Sequence, residues 1–388
     1  MTTVTEAPLL SLSEMVPVVS QLMVPAPKLP AAEPATTAPS AGTAPSAGTA
    51  TPGAGVVKRS GWRLLFLIIA AAVLLGAVVL SLGVGAKFIP PATVLDAFVS
   101  PKDTADHAII LESRLPRTLM GIAVGVALGV AGALIQAITR NPLADPGILG
   151  VNAGASFAIV VAIGVFGVGS LSGYIWFAFA GAILTTAAVY LIGTSGRNVV
   201  NPVRLTLAGV ALGAVLTGIG SGLTLLNPKA FDHLRSWSIG SLDTRSMEAV
   251  LTVAPFMGLG LLVALFCVRG LNAVALGDDL ATSLGANVNR TRILSVVAIT
   301  LLSGAATAGA GAIGFVGLMI PHVARWIVGP DQRWILATTV LLSPILLLVS
   351  DVVGRIAAPG ELQVGVVTAF IGAPVLIALA RRRKVSGL

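Results

Sequence analysis

Charged residues are scarce in this sequence, and cysteine is nearly absent. Asp, Glu, Lys and Arg together make up 10% of the 388 residues, whereas a soluble globular domain carries about 25%. The single cysteine, Cys267, excludes an internal disulfide and most cysteine metal sites. It stands at the end of an apolar run, so we expect it to face lipid or to be packed. The composition indicates a membrane protein.

Other absences narrow the chemistry. No lysine follows a glycine, so the phosphate-binding pattern G-x-x-x-x-G-K-[ST] does not occur. The histidines are far apart and have no Cys, Asp or Glu neighbours at metal-ligand spacing; we expect His322 to pack or hydrogen-bond. No carboxylate lies in the middle of an apolar run, where ion-coupled carriers usually place one. We predict a chain that is not an enzyme and binds no cofactor or metal, and whose transport is powered by another chain.

Long uncharged runs account for most of the chain after residue 60. Each predicted span can cross a bilayer as one helix, which takes about 20 residues. The predicted spans are Leu64–Ala86, Thr118–Thr139, two within 146–196 around a turn at Gly167–Gly173, Leu205–Pro228, Ala249–Val268, one within Ile293–Pro321, another continuing through Val328, Trp334–Ser350 and Val364–Ala380. We predict an all-α, polytopic membrane protein with about ten transmembrane helices, with nine or eleven as alternatives because the region 305–330 is ambiguous.

An even number of spans places both termini on one side of the membrane. Lys and Arg are more numerous on the side shared with the termini, where the run Arg381–Lys384 lies. By the positive-inside rule, both termini are then cytoplasmic, and the net charge of +8 requires no nucleic-acid partner. Residues 1–60 are rich in Pro, Ala and Thr and contain a tandem APSAGT. We predict a disordered cytoplasmic tail there without a signal peptide, followed by a membrane domain over 61–388.

Two glycine patterns stand out. Gly309–Gly314 matches G-x-G-x-x-G, the spacing of a dinucleotide-binding turn. That turn needs a strand before it and a soluble βαβ unit around it, whereas here it lies in an uncharged run, so we expect these glycines to let helices approach or to break a helix in the membrane. Gly121, Gly125 and Gly129 recur every fourth residue and predict a close-packed helix face.

Seven motifs follow one another through the predicted membrane domain. They are RLPR at 114–117, QAITRNPLADPGILG at 136–150, LAGVALG at 207–213, LGDDLATSLGANVNRTR at 276–292, IGFVGLMIPHVAR at 313–325, DVVGR at 351–355 and ELQVGVVTAFIGAP at 361–374. In this order, and over about residues 60–384, the sequence resembles the FecCD family, permease subunits of ABC importers for iron–siderophore complexes, haem and cobalamin.

The resemblance implies a fold and a set of partners. It implies a type II ABC importer permease in the cell (inner) membrane, paired with a second permease that is identical or paralogous. Two ATPase subunits would bind on the cytoplasmic side and use ATP and Mg, and an extracytoplasmic binding protein would deliver the substrate. Ferric-siderophore transport is favoured over cobalamin by Trp237 beside the GSL of residues 240–242. Trp237 could be a substrate contact or equally an interfacial anchor, and an ion-coupled secondary transporter is the remaining alternative.

Two cytoplasmic elements follow from the resemblance. The loop 276–292 is predicted to couple the permease to its ATPase, with small and apolar residues at helical spacing; a plain polar connector is the alternative. Its proposed residues are Gly277, Asp278, Leu280, Ala281, Leu284 and Gly285. The cytoplasmic gate is matched by Asn141, Pro142, Leu143, Pro202 and Val203. Pro202 and Val203 depart from the small hydroxyl residues that can occur there in the family. For residues 141–147, a simple capped helix break is the alternative.

Three arginines are predicted on the outer side. Arg114 and Arg117 are three residues apart and would share a helix face, and Arg355 follows Asp351 by four residues. By resemblance these positions dock the binding protein, because a guanidinium group can meet a carboxylate with two charge-assisted hydrogen bonds. Snorkelling or local ion pairing with Glu112 and Asp351 is the alternative.

Overall fold

The computed structural model describes residues 54–168, 170–194, 202–243, 246–358 and 360–381. Most of the predicted tail, residues 1–53, and the basic residues 382–384 lie outside the described residues. A π-helical turn, Ile109–Arg114, lies within α3, and a 3₁₀ helix, Pro146–Leu149, precedes α4. The helices are α1 (Ala54–Gly83), α2 (Pro91–Val99), α3 (Ala105–Thr139), α4 (Val151–Gly164), α5 (Leu171–Thr194), α6 (Pro202–Leu226), α7 (Pro228–Ser238), α8 (Met247–Val274), α9 (Asp278–Ser283), α10 (Val288–Ala310), α11 (Val316–Val328), α12 (Gln332–Ala357) and α13 (Val364–Arg381).

Seven of the described helices are long and apolar enough to cross a bilayer, namely α1, α3, α5, α6, α8, α10 and α12. Three shorter apolar helices, α4, α11 and α13, accompany them. The 13 residues of α11 reach about 20 Å, so α11 alone covers only part of a hydrocarbon core about 30 Å thick. Together the described apolar helices match the predicted ten. The all-α membrane fold is confirmed, and the ambiguous region 305–330 consists of α10, a break and α11.

The predicted glycine face of α3 packs directly on α12. A Cβ atom added to Gly125 would lie 2.7 Å from Cα of Pro344, and one added to Gly129 would lie 2.0 Å from Oγ of Ser343. Neither space admits a methyl group, so the two helices approach at the distance that only glycine allows. The prediction of a close-packed face is confirmed.

The same helix makes a second glycine contact, with α11. A Cβ atom at Gly132 would lie 1.8 Å from the carbonyl oxygen of Gly317. The two backbones therefore touch where α11 begins inside the bundle. This contact places the short helix α11 against the C-terminal part of α3.

The G-x-G-x-x-G segment breaks a helix, as predicted. Helix α10 ends at Ala310, residues 311–315 are not helical, and α11 follows. Gly311 has φ of 80°, which residues with a side chain rarely adopt, and a Cβ atom there would lie 2.2 Å from the carbonyl oxygen of Trp237. The Ser241 N–H donates to the Ala310 carbonyl at 2.8 Å, which supplies one of the bonds that a helix end needs. A helix, not a strand, precedes the pattern.

The structure also decides between the alternatives for two other side chains. Cys267 is 2% exposed, so it is packed and does not face lipid. Trp237 is 3% exposed, and the expectation of an interfacial anchor is wrong because an anchoring indole must reach the membrane surface. In the described structure, Trp237 packs in the core with its Nε1 unpaired.

Candidate functional site

The candidate functional residues lie near the two ends of α3. Arg117 is in the first turn after the π-helical segment, and Arg140 follows the last helical residue. The 25 residues of Leu115–Thr139 extend about 37 Å, which is enough to cross the bilayer. We call these the Arg117 end and the Arg140 end.

At the Arg117 end, the arginine is surrounded by carboxylates of its own chain. Its Nε lies 3.1 Å from both carboxylate oxygens of Asp351, and its Nη2 lies 2.9 Å from Oδ1. Its Nη1 donates to Asp243 at 3.2 Å and to Glu361 at 3.0 Å. We call Arg117, Asp351, Asp243, Glu361 and Arg355 the Arg117 cluster. It joins α3, α12 and the segments that precede α8 and α13.

The other two arginines bind the C-terminal end of α1. Arg355 ion-pairs with Asp351 and donates from Nη1 to the carbonyl oxygens of Ser81 at 2.7 Å and Val84 at 3.0 Å. Arg114 donates from Nη1 to the carbonyl oxygen of Leu82 at 2.7 Å. The last carbonyls of a helix have no partner within the helix and carry partial negative charge. The two guanidinium groups satisfy them and fix α1 to α3 and α12.

These contacts bear on the docking interpretation. Arg114, Arg117 and Arg355 are 6%, 9% and 5% exposed, and each binds groups of its own chain. The local ion pairing considered as the alternative is therefore present for Arg117 and Arg355, which share Asp351, whereas Arg114 bonds to backbone carbonyl oxygens. A docking role for the three arginines stays an untested prediction.

A hydroxyl-lined cavity opens near the Arg117 end, and no pattern in the sequence pointed to it. It has a volume of about 380 Å³ and lies between α4, α6 and α7. Two aromatic rings and one cation, Phe157, Phe231 and Arg235, also line it. Its hydroxyl groups belong to Ser156, Thr217, Ser221, Thr224 and Ser238. Such a surface suits a hydrophilic ligand with negative charge or hydrogen-bonding oxygens.

At the Arg140 end, α3 stops in a capped break. Arg140 adopts the left-handed conformation with φ of 51°, and Oδ1 of Asn141 accepts a hydrogen bond from the Leu143 N–H at 3.0 Å. Asp145 then caps the 3₁₀ helix by accepting from the Gly147 N–H at 2.7 Å. The capped break considered for this stretch is present.

The predicted gate residues are exposed beside this break. Leu143 is 38% exposed, and Val203, in the first turn of α6, is 66% exposed. Pro142 is half-buried, and Pro202 begins α6. Residues 141–143 and 202–203 lie at the same end of the bundle. Helix α5 runs from the Arg117 end to the Arg140 end, and α6 begins there. Their exposure leaves them able to face a pathway, and the gate role stays a prediction.

The predicted coupling loop forms a short helix, α9, framed by two glycines. Gly277 has φ of 109° and Gly285 has φ of 79°, conformations in which glycine is strongly favoured. Leu276, Leu280 and Leu284 recur every fourth residue, and all are exposed. We call these three leucines the leucine face. It is an apolar strip available for a partner.

One residue of this loop does not lie where the spacing placed it. Ala281 is 0% exposed, so the expectation that it shares a docking surface with Leu280 and Leu284 is wrong. One residue along a helix turns the side chain by about 100°, which directs Ala281 into the protein. It attaches α9 to the bundle.

Asp278 links this loop to the gate segment. Its carboxylate accepts bonds from Nη2 of Arg292 at 3.0 and 3.1 Å and also pairs with Arg140, the residue before Asn141. Arg140 further donates from Nε to the carbonyl oxygen of Val274 at 3.0 Å. One carboxylate therefore joins α9, α10 and the end of α3.

An unpaired arginine near this end has no counterpart in the sequence predictions. Within the described structure, all three guanidinium nitrogens of Arg325 in α11 are buried without a hydrogen-bond partner. His322, one turn earlier, is buried against Trp326, with ring centroids 4.7 Å apart. This agrees with a packing role for His322.

Comparison with known proteins agrees with this architecture. A profile of the FecCD transport family matches residues 73–382. The chain belongs to the FecCD family. Among curated relatives, it is 52% identical over 324 residues to the ferric enterobactin transport system permease protein FepD of Escherichia coli, covering 84% of this chain and 95% of the relative. It is 38% identical over 328 residues to YfiZ of Bacillus subtilis, a probable siderophore permease, covering 84% and 98%.

The fold is also found in solved transporter structures. A metal-chelate type ABC transporter in an inward-facing conformation superposes with a TM-score of 0.72 at 29% identity, covering 81% of this chain and 98% of that one. PsaBC from Streptococcus pneumoniae shares the fold at a TM-score of 0.52 and 16% identity, covering 68% and 90%. Family and fold thus agree with the resemblance of the motifs.

Proposed function

We propose that this chain is the membrane-spanning permease subunit of an ATP-driven importer that carries an iron–siderophore complex across the cell membrane. The observation that supports this most strongly is the 52% identity, over nearly the whole membrane domain, with a ferric enterobactin permease. Its partners are a second permease, two ATPase subunits and an external binding protein. ATP and Mg are used by the ATPase subunits.

The positive-inside rule orients the chain in this proposal. The Arg140 end, with the coupling loop and both termini, faces the cytoplasm, and the Arg117 end faces outward. A chelate released by the binding protein meets the hydroxyl-lined cavity near the outer end. Its oxygens find hydroxyl donors and the cation of Arg235 there, which favours a hydrophilic iron chelate over an apolar solute.

Energy transfer follows from the contacts at the Arg140 end. An ATPase subunit seats on the leucine face and moves α9 when it binds or hydrolyses ATP. Because Asp278 pairs with Arg140, a shift of α9 pulls on the residue next to Asn141. Movement in the ATPase is thereby transmitted to the gate formed by residues 141–143 and 202–203.

Cobalamin or haem is the alternative cargo. A cobalamin import permease, BtuC of Halobacterium salinarum, is 37% identical over 282 residues, so the same architecture accompanies a different substrate. An ion-coupled carrier is disfavoured because the predicted spans hold no carboxylate at mid-span.

The test is reconstitution with candidate partners. The chain, with its second permease, an ATPase subunit and a binding protein, is placed in proteoliposomes, and uptake of ⁵⁵Fe-labelled siderophore is compared with uptake of labelled cobalamin. We expect ATP-dependent uptake of the iron chelate, and no ATP binding by the isolated chain. Preferred uptake of cobalamin would overturn the substrate, and stoichiometric ATP binding by the isolated chain would overturn the subunit role.

A further inference from the structure

A second cavity shares no lining residue with the proposed gate or the Arg117 cluster. Its volume is about 660 Å³, and α1, α3, α8 and α12 form its walls. The side chains along its length are apolar, among them Leu67, Val130, Ala264, Leu336 and Val340. From Leu261 to Arg269 the cavity extends about 12 Å along the axis of α8, at 1.5 Å per residue.

The cavity is apolar over most of its length and cationic at one end. Arg269 in the last turns of α8 and Arg333 in the first turn of α12 both line it. Asn272 fixes these helix ends side by side, because its Oδ1 accepts from the Gln332 N–H at 2.9 Å and its Nδ2 donates to Asp331 at 2.9 Å. The two arginines therefore stand together at the Arg140 end.

Both guanidinium groups are available for a ligand. Both residues are exposed, and in the part of the chain that the structure describes neither side chain has an ion pair or a hydrogen bond. The nearest acid in sequence, Asp331, already accepts from Asn272 and from the Arg333 backbone N–H at 3.0 Å. A third cation, Arg63 of α1, lies over the ring of Trp334 at 5.5 Å, at the same end.

We propose that this cavity binds one anionic phospholipid, with its phosphate between Arg269 and Arg333 and an acyl chain along the apolar walls. Basic pockets between transmembrane helices are suited to acidic lipid headgroups, and guanidinium groups bind phosphate oxygens with charge-assisted hydrogen bonds. A free anion would leave the apolar length empty. A helix of a partner protein is too large to be the occupant, because a helix 10 Å across and 12 Å long needs about 900 Å³, more than the cavity holds.

The experiment measures lipid retention by the full chain in mild detergent. Native mass spectrometry follows binding of phosphatidylglycerol and, separately, of phosphatidylcholine with the same acyl chains. The test variant is Arg269→Gln with Arg333→Gln. The matched control, Lys229→Gln with Arg290→Gln, changes the net charge equally and alters no residue of this cavity. A third variant, Ala337→Phe, fills the apolar part and leaves both arginines in place.

We expect wild type and control to bind one phosphatidylglycerol at least about tenfold more tightly than phosphatidylcholine, the order expected for two basic residues at a membrane surface. The glutamine pair should lose that preference, and Ala337→Phe should weaken both lipids. If the double glutamine variant does not fold, each single glutamine variant should bind phosphatidylglycerol about threefold more weakly than wild type. Wild-type retention of phosphatidylglycerol by the glutamine variants or by Ala337→Phe would overturn the proposal, as would complete displacement by inorganic phosphate at equal concentration.

Discussion

Arg117 and Asp351 are 234 positions apart in the sequence, yet Nε and Nη2 of the arginine lie 3.1 and 2.9 Å from the same carboxylate oxygen. Asp351 is 1% exposed on its side chain and also pairs with Arg355. One buried acid is thus the shared counter-charge of two buried cations. Their pairing joins α3 to α12 and, through Arg355, to the end of α1.

Removing that acid should destabilise the fold. In Asp351→Asn, two guanidinium groups stay buried without their shared counter-charge, and breaking a buried pair in this way costs about 3–5 kcal/mol. Asp243→Asn is the control, since that carboxylate is 58% exposed and an exposed pair contributes about 1 kcal/mol or less. Thermal unfolding of the purified chain should show a much lower midpoint for Asp351→Asn. Equal midpoints would mean that the Arg117 cluster is not structural.

Sequence spacing could predict part of this cluster. Arg355 stands one helical turn after Asp351, so their pairing follows from local geometry. The bonds from Arg114 and Arg355 to carbonyl oxygens at the end of α1 could not be predicted, because a backbone acceptor leaves no mark in the sequence. The same holds for Arg117 with Glu361, which depends on how the loop after α12 folds. Sequence spacing alone therefore left docking and local pairing open as alternatives for these arginines.

The sequence predicted which helix face carries the close-packed glycines better than it predicted which residues those glycines contact. A repeat every fourth residue defines one face of a helix without its tertiary context, so the face of α3 was predicted correctly. That Gly132 meets Gly317 was not predicted, because the pairing depends on where α11 begins. The position of Ala281 was missed for a related reason, since a six-residue helix is too short for spacing to define its buried side.

Removing the charge of Arg325 and removing the charge of Arg117 should have opposite effects on the stability of the fold. Arg325→Met replaces a buried cation that lacks a partner in the described structure, and apolar replacement of buried charge is often neutral or stabilising by about 1–4 kcal/mol. Arg117→Met instead leaves buried Asp351 with one cation fewer and should lower stability by several kcal/mol. The unfolding midpoints of the two variants test this. A large loss in Arg325→Met would reveal a partner for its guanidinium group.

Gly132→Ala should prevent α3 and α11 from reaching their observed separation. The new methyl group would lie 1.8 Å from the Gly317 carbonyl oxygen. The methyl carbon is bonded to the backbone of one helix and the oxygen is part of the backbone of the other, and neither backbone can shift locally. We expect a loss of about 1–3 kcal/mol, as for other overpacked interiors. Gly76→Ala is the control, because a Cβ atom there has nothing within 4 Å and alanine favours helix. A Gly132→Ala chain as stable as this control would contradict the close contact.

The leucine face should be needed for attachment of the ATPase. In the double variant Leu280→Asp, Leu284→Asp, two charges replace exposed apolar side chains, and interface anchors contribute about 2 kcal/mol each. We expect affinity for the ATPase, measured by co-purification from detergent, to fall by roughly a hundredfold or more. Thr282→Asp, on the opposite side of α9, should bind nearly normally. Loss of binding in the control alone would assign docking to that other side.

Asp278→Asn tests transmission between the ATPase and the gate without touching the leucine face. The amide cannot hold Arg140 and Arg292 with charge-assisted bonds, so α9 should move without pulling on Asn141. We expect ATPase binding and hydrolysis to persist, while uptake per ATP falls by roughly two- to thirtyfold, the range for residues that carry coupling between sites. Asp279→Asn is the matched control, because the adjacent carboxylate is exposed and its removal leaves both arginine pairs intact. Both rates are measured in the same proteoliposomes. If Asp278→Asn and Asp279→Asn transport with equal yield per ATP, the Asp278–Arg140 pair holds the loop in place but does not transmit its movement.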